Sequence, residues 1–280
     1  MNIIPHSLAN HQKIARHYAK IAVQALYDEV ALFPKPGLVS FIDSGAHEDM
    51  DGELFYRSLF SLRHYFFQIG LHAAMGYSAK ALVPFGIKAE ITMNTVTQGI
   101  NTHRGAIFSL GIVCASACQL SSQKAHYSTH DLHYHIIEYW AEYLRNEHQT
   151  GPSHGQTIKK HYAINDATQL AIQGYKPVFD TFHELCTSSL SNKTLLGLKA
   201  YHRLLNELDD INVLYRTGQD GLHFAREHLN EAFNVEEEEH LITQALKLHH
   251  LFSAKNISPG GVADMLALIY FLYRICEYSL

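Results

Sequence analysis

Phe55, Leu59, Leu62, Phe66, Ile69 and Ala73 recur at alternating intervals of four and three, which puts all six on one face of an α-helix. The same period returns over about 8–32, 85–98, 103–120, 131–147, 194–208, 236–254 and 261–278. No apolar/polar alternation runs long enough for a central strand, and no hairpin signature joins two candidate strands. A chain patterned in this way buries its apolar stripes helix against helix. The expected fold class is therefore all-α, a single-domain helical bundle over 1–280 with long functional loops. The acids Glu236 to Glu239 open one of these helices, where carboxylates favour the positive end of the dipole.

Several function classes are disfavoured at once. Lys and Arg number 22 against 27 Asp and Glu, a net charge of −5, which argues against a broad electrostatic grip on nucleic acid. The longest apolar run, Val262 to Cys276, is interrupted by Asp264 and Arg274 and falls short of the ~20 residues of a membrane span. The opening "MNIIPHSLANHQK" lacks the basic-then-apolar order of a signal peptide. Cys114, Cys118, Cys186 and Cys276 form no CxxC and read as free thiols in a reducing compartment, so a cytoplasmic protein is expected, without membrane or nucleic-acid partners. The 21 histidines show no HExxH and no paired Cys/His spacing.

Four stretches escape the helical period: 34–51, 98–104, 150–180 and 209–221. The first, "PKPGLVSFIDSGAHEDMD", opens on Pro34 and Pro36, which forbid a helix, and uses Gly37 and Gly45 for bends. Asp49 and Asp51 precede the next helix and either cap it or hold Mg²⁺, an ion that takes one or two carboxylates and leaves its other positions to water and phosphate. In "NTHRGAIFSLG", Asn101 or Thr102 is the N-cap candidate. His103 and Arg104 then fall in a first helical turn, where cations are disfavoured unless an anion joins them; the alternative is an ordinary capped helix with a surface Arg.

"NISPGGVADMLAL" offers Ser258 as N-cap with Pro259 at the first helical position. Gly260 and Gly261 are costly in a first turn, and either admit a ligand to the backbone or allow close helix packing. Asp264 lies in an otherwise apolar stretch, where a buried carboxylate needs a partner or a role. "DDINVLYRTGQDGL" carries Asp209, Asp210, Asn212 and Arg216 before a Gly218/Gly221 turn and also reads as a polar connector. Neither a P-loop nor a Rossmann fingerprint occurs, so a nucleotide would have to be held by helix ends, Mg²⁺ and scattered basic residues.

In their order, "EVALFPKPGLVSFIDSGAHEDMD", "NTHRGAIFSLG", "DINVLYRTG" and "SPGGVADMLAL" resemble the triphosphoribosyl-dephospho-CoA synthase family over almost the whole chain. The wording "GLVSFIDSGAHEDMD" and "FYRSLFSLR" looks like its malonate decarboxylase branch rather than its citrate lyase branch. The resemblance implies that the 2′-hydroxyl of 3′-dephospho-CoA attacks C1 of the ATP ribose, adenine leaves and the triphosphate stays on. The product would be a prosthetic-group precursor that a separate transferase attaches to an acyl-carrier subunit. It further implies Asp49 and Asp51 as Mg²⁺ ligands, Lys35, His103 and Arg104 at the phosphates, and Asn101, Arg216, Ser258, Gly260 and Gly261 as further substrate-binding residues. Asp264 or Asp210 would act as a carboxylate base or second metal contact, and His47 as proton donor to adenine or as a loop-stabilising partner.

The chain departs from the family pattern in the segment 162–179, where Thr168 and Leu170 stand in place of an expected Arg and Glu. Tyr215 replaces a usual His, and Val262 a small polar residue. Two other readings therefore stay open: an ATP nucleosidase, with water in place of the acceptor hydroxyl, and a non-catalytic nucleotide- or carrier-binding protein.

Overall fold

The computed structural model describes residues 7–146, 167–187, 192–235 and 237–278, and among these there is no strand. The first half carries α1 (Leu8–Ala31), α2 (Gly52–Ser61), α3 (Arg63–Ala74), α4 (Ala79–Val96), α5 (Arg104–Gln123) and α6 (Thr129–Asn146). The second carries α7 (Ala167–Ile172), α8 (Lys176–Thr187), α9 (Lys193–Glu207), α10 (Ile211–Phe233), α11 (Glu238–Ala254) and α12 (Gly260–Tyr278). The all-α class follows directly.

At the centre lies α5, whose every residue from Ile112 to Leu120 is buried, with α1, α3 and α12 packed on it. In length and apolarity α5 is the one described helix that matches a membrane span, but 78% of the relevant window is buried inside the bundle. It is the core helix, and α12 lies alongside it with Leu266 to Leu272 all buried. Truncating a buried leucine here, such as Leu110, removes on the order of 2–5 kcal/mol of stability.

Three expectations need correction. The apolar stripe from Phe55 to Ala73 belongs to two helices, because the N–H of Leu62 bonds to the carbonyl of Leu59 in a tightened turn before α3 resumes. The stretch 209–221 is not a connector: Asp210 caps α10, and the helix runs on through a kink at Gly218 (φ 68°). That kink separates Val213 and Leu214 from Leu222, Ala225 and Leu229, and so hides the helical period of the buried face. Of the stretch 150–180, residues 150–166 lie outside those described, but α7 and α8 are helical and buried through Ala171, Phe179 and Phe182. Between them Gly174 and Tyr175, both at positive φ, break the period. The acid Glu236 also lies outside the described residues, while Glu238 and Glu239 occupy the first turn of α11.

Candidate active site

The proline- and glycine-rich segment 34–51 is a loop held from several sides. Gly37 has φ +72°, and a Cβ there would lie 2.0 Å from the carbonyl oxygen of Ile257, so only glycine lets the loop touch the start of α12. The hydroxyl of Tyr201 donates to the carbonyl of Pro36 at 2.8 Å. From α11, His249 reaches the loop with both ring nitrogens, Nδ1 at 2.8 Å from the Lys35 carbonyl and Nε2 at 2.9 Å from Asp43 Oδ1. Asp43 also accepts the N–H of Gly45. Burial raises its carboxyl, but the bonds from His249 and Gly45 outweigh that and hold it below the usual range.

Behind this loop the N-termini of α5, α10 and α12 converge, and two carboxylates serve all three. Asp210 Oδ1 accepts the N–H groups of Asn212 and Val213 at the start of α10. Its Oδ2 accepts the N–H of Val262 at 2.8 Å, in the first turn of α12. Burial pushes the Asp210 carboxyl up to about 6 against these backbone bonds. Asp264 accepts the N–H of Ala106 at the start of α5. Burial, followed by the charges of Glu29 and Asp210, raises it well above the usual carboxylate range.

The glycines in this region make room for those acids. A Cβ at Gly105 would lie 1.9 Å from Asp264 Oδ2, and one at Gly261 3.0 Å from Asp210 Oδ2. One at Gly260 would meet Asn212 Nδ2 at 2.8 Å, so the paired glycines serve the close approach of α12 to α10. Ser258 does not cap α12 as expected: the helix begins at Gly260, the cap comes from Asp210, and Ser258 Oγ lies 2.9 Å from His47 Nε2.

A cavity of about 750 Å³ opens over these groups. Of the residues singled out from sequence, Lys35, His47, Asn101, His103, Arg104 and Asp210 line it, as do Arg216, Ser258, Gly260, Gly261 and Asp264. Asp49 and Asp51 do not. Asp51 caps α2, accepting the N–H of Leu54 at 2.8 Å, while Asp49 is largely exposed beside His47, 3.4 Å from its Nδ1. Among the described residues no group of three or more His, Cys, Asp or Glu is arranged to hold a metal ion.

The basic residues are placed differently from one another. Lys35 is buried and donates to both the carbonyl and the carboxylate of Glu29; burial lowers the lysine and raises the acid, each opposed by its partner's charge. Arg104 pairs with Glu90 at 3.2 Å, with Asn101 Oδ1 accepting its backbone N–H. Arg216 donates to the carbonyl of Ala46 at 3.2 Å. His103, the N-cap of α5, is 3% exposed, and burial, followed by the charge of Lys35, lowers its ring to about 3. Burial and then Arg216 also lower His47, against the raising effect of Asp49.

Glu29, Phe55, Thr168, Leu170, Asn212 and Tyr215 complete much of the wall. Glu29 carried a readable signal, since it falls in helical register with the buried Ala22, Ala25 and Leu26 of α1. Thr168 and Leu170, the positions of the expected Arg and Glu, both face the cavity.

The chain matches the family described as "CitG: ATP:dephospho-CoA triphosphoribosyl transferase" over residues 15–280. It is 32% identical over 261 residues to "Probable 2-(5''-triphosphoribosyl)-3'-dephosphocoenzyme-A synthase" of Acinetobacter calcoaceticus, covering 91% of this chain and 89% of that protein. It is 31% identical over 264 residues to "2-(5''-triphosphoribosyl)-3'-dephosphocoenzyme-A synthase" of Pectobacterium atrosepticum, covering 89% and 86%. It is also 32% identical over 296 residues to "Protein CitXG" of Haemophilus influenzae, of which it spans 62%. No solved structure matches.

Proposed function

This chain belongs to the CitG family of ATP:dephospho-CoA triphosphoribosyl transferases, and from that membership we propose that it moves the 5-triphosphoribosyl group of ATP to the 2′-hydroxyl of 3′-dephospho-CoA, releasing adenine. The observation that carries this reading is the pair Asp210 and Asp264, two carboxylates of different character at one cavity wall, under three helix N-termini.

Transfer from a nucleoside passes through a ribose with oxocarbenium character, which nearby negative charge stabilises. Asp264, which burial and its neighbours keep in favour of its protonated form, gives a proton to a ring nitrogen of adenine as the bond from C1 of the ribose to the base breaks. Asp210, raised to about 6 and so ionised at neutral pH, takes the proton of the 2′-hydroxyl as its oxygen bonds to C1. One proton has then passed from Asp264 to Asp210 by way of the substrates, and exchange with solvent resets the pair. His47, lowered by burial and Arg216, lies 2.9 Å from Ser258 Oγ and stands as the partner that fixes that side chain.

The triphosphate is proposed to lie toward Arg216 and Arg104, which line the cavity. Mg²⁺, whose chemistry here is to neutralise the phosphates, needs few protein carboxylates. Asp49, exposed beside His47, suits it better than Asp51, whose Oδ1 is committed to the cap of α2. The chain is further proposed to act in the cytoplasm and to hand its product to a carrier-protein transferase. On the wording of "GLVSFIDSGAHEDMD" and "FYRSLFSLR", the carrier served is that of malonate decarboxylase.

The test is adenine release from ATP and Mg²⁺, with and without 3′-dephospho-CoA, with mass analysis of the product. Release only with the acceptor, together with a triphosphoribosyl adduct, supports the transferase; release without it supports a nucleosidase. A second reading, a binding protein without turnover, is favoured by Thr168 and Leu170 in the cavity wall and predicts ATP binding with no adenine. Transfer of the adduct to the malonate decarboxylase carrier in preference to the citrate lyase carrier tests the branch.

A further inference from the structure

His103 Nε2 is buried and has no hydrogen-bond partner among the described residues, although the residue lines the cavity. Its other nitrogen is accounted for. The hydroxyl of Thr102 donates to Ser58 Oγ at 2.7 Å, which leaves the Ser58 proton to be donated onward, and Nδ1 of His103 lies 2.8 Å from that oxygen. Nδ1 also lies 3.2 Å from Thr102 Oγ1, but the Thr102 proton goes to Ser58, so the Ser58 proton is the one hydroxyl proton left for Nδ1, and we take Nδ1 as its acceptor. A neutral imidazole carries one proton, and with Nδ1 accepting, that proton is on Nε2. With that tautomer the ring is an uncharged donor whose N–H lacks an acceptor among the described residues, and buried donors without acceptors are costly enough to be rare.

The surroundings select the kind of acceptor. Phe55 meets the imidazole edge-on at 4.9 Å between ring centroids, and the apolar Phe108, Val83 and Ile87 line the same cavity. Glu29, already paired with Lys35, and Asp264, which favours its protonated form, also line it and offer a phosphate no cation, while Arg104, exposed and paired with Glu90, and the part-buried Arg216 are the cavity's arginines. An uncharged, flat, largely apolar group with a lone-pair nitrogen fits this wall. We propose that His103 donates its Nε2–H to a ring nitrogen of the purine base, with Ser58 and Thr102 as positioning residues that fix the tautomer. This rests on the reading of ATP as a substrate and assigns the base-recognising end of the cavity.

The test compares binding of ATP and its 1-deaza, 3-deaza and 7-deaza analogues to wild type and to His103→Leu, with ¹⁵N-histidine spectra of the wild type. One analogue is expected to bind wild type at least ~10-fold more weakly than ATP, and to lose that penalty in His103→Leu. The Nε2–H tautomer is expected in the free protein, with its signal moving when ATP binds. Where His103→Leu does not fold, the wild-type spectrum and His103→Gln, which keeps an N–H donor, carry the test. Equal binding of all three analogues, a penalty that persists in His103→Leu, or a proton on Nδ1 overturns the proposal while leaving ATP as substrate. Failure of wild type to bind ATP at all overturns both.

Discussion

The carboxylate of Asp210 accepts the backbone N–H of Val262 at 2.8 Å, tying the first turn of α12 to the start of α10. One side chain thereby caps two helices and stands in the cavity wall. Asp210→Ala leaves both ends uncapped and is expected to cost roughly 1–4 kcal/mol in urea unfolding, about 0.5–2 per cap. Asp210→Asn keeps one oxygen acceptor and loses less. The pH dependence has a definite sign. Folding raises this carboxyl from 3.8 to about 6, so between those values the folded state binds more protons than the unfolded state, and stability falls as pH rises. The advantage of wild type over Asp210→Asn is expected to shrink by about 3 kcal/mol across that window and to be flat above it.

Gly105→Ala puts a methyl carbon 1.9 Å from Asp264 Oδ2, well inside van der Waals contact. The acid must swing aside and give up the N–H of Ala106. A loss of about 1–3 kcal/mol is expected from the overpacking, with a fall in kcat of ~10²-fold because the acid is displaced. In Asp264→Ala the space is already vacated, so adding Gly105→Ala is expected to cost far less there. Equal costs in both backgrounds would show that the two residues do not compete for this space.

Thr168 and Leu170 face the cavity from α7, at the positions where the resemblance to the family leads to an expectation of Arg and Glu. Thr168→Arg, made with Leu170→Glu, puts a cation with its own counter-charge into that wall. The pair is expected to lower KM for ATP or 3′-dephospho-CoA by roughly 3–10-fold, the effect of one added charge-assisted hydrogen bond. If wild type is inactive and the double variant releases adenine, the two substitutions account for the lost turnover.

The parts of this fold that could be read in the sequence were those where burial leaves a period. α5 and α12 are recognisable because almost every side chain of their central turns is apolar. α10 was hidden, since its start carries cap and cavity groups, Asp210 at the cap and Asn212 and Arg216 in the first two turns, and Gly218 then breaks its register. The candidate site was legible at its punctuation, where Gly37, Gly260 and Gly261 mark close approaches, while Gly105, a lone glycine at the start of a helical run, gave no such signal. What each approach serves was not legible, because it depends on residues far away in the chain. Asp264 fills the space over Gly105, and Asp210 that over Gly261. Ser58 left almost no trace, being a small hydroxyl on the buried side of α2.

His249 clasps the loop 34–51 from α11 by bonds to the Lys35 carbonyl and to Asp43. His249→Phe fills the same space without either bond. Hydrogen exchange at Gly45 and Ala46, whose N–H groups bond within this loop, is expected to speed up by at least ~10-fold, with a drop in kcat/KM. Asp43 contributes in the usual sense for a depressed acid: its stabilisation is present above the unfolded value of 3.8 and is lost as pH falls through the lower folded value. In His249→Phe that acid-side loss is expected to be smaller.

Lys35 and Glu29 form a buried pair whose worth depends on both members being present. The ammonium donates to the Glu29 carboxylate and carbonyl, and both residues are nearly inaccessible, at 1% and 5% exposure. Lys35→Met leaves a carboxylate in the cavity wall with Asp264 and Asp210 nearby and no internal cation. Roughly 3–5 kcal/mol of stability is expected to go, with the pKa of Asp264 rising further. Lys35→Met combined with Glu29→Leu removes both charges and is expected to recover most of that loss, since a buried pair contributes little over apolar residues of similar volume. A thermodynamic cycle over the four proteins gives the coupling. If Lys35 instead acts mainly on the triphosphate, Lys35→Met alone weakens ATP binding at unchanged stability, and adding Glu29→Leu restores nothing.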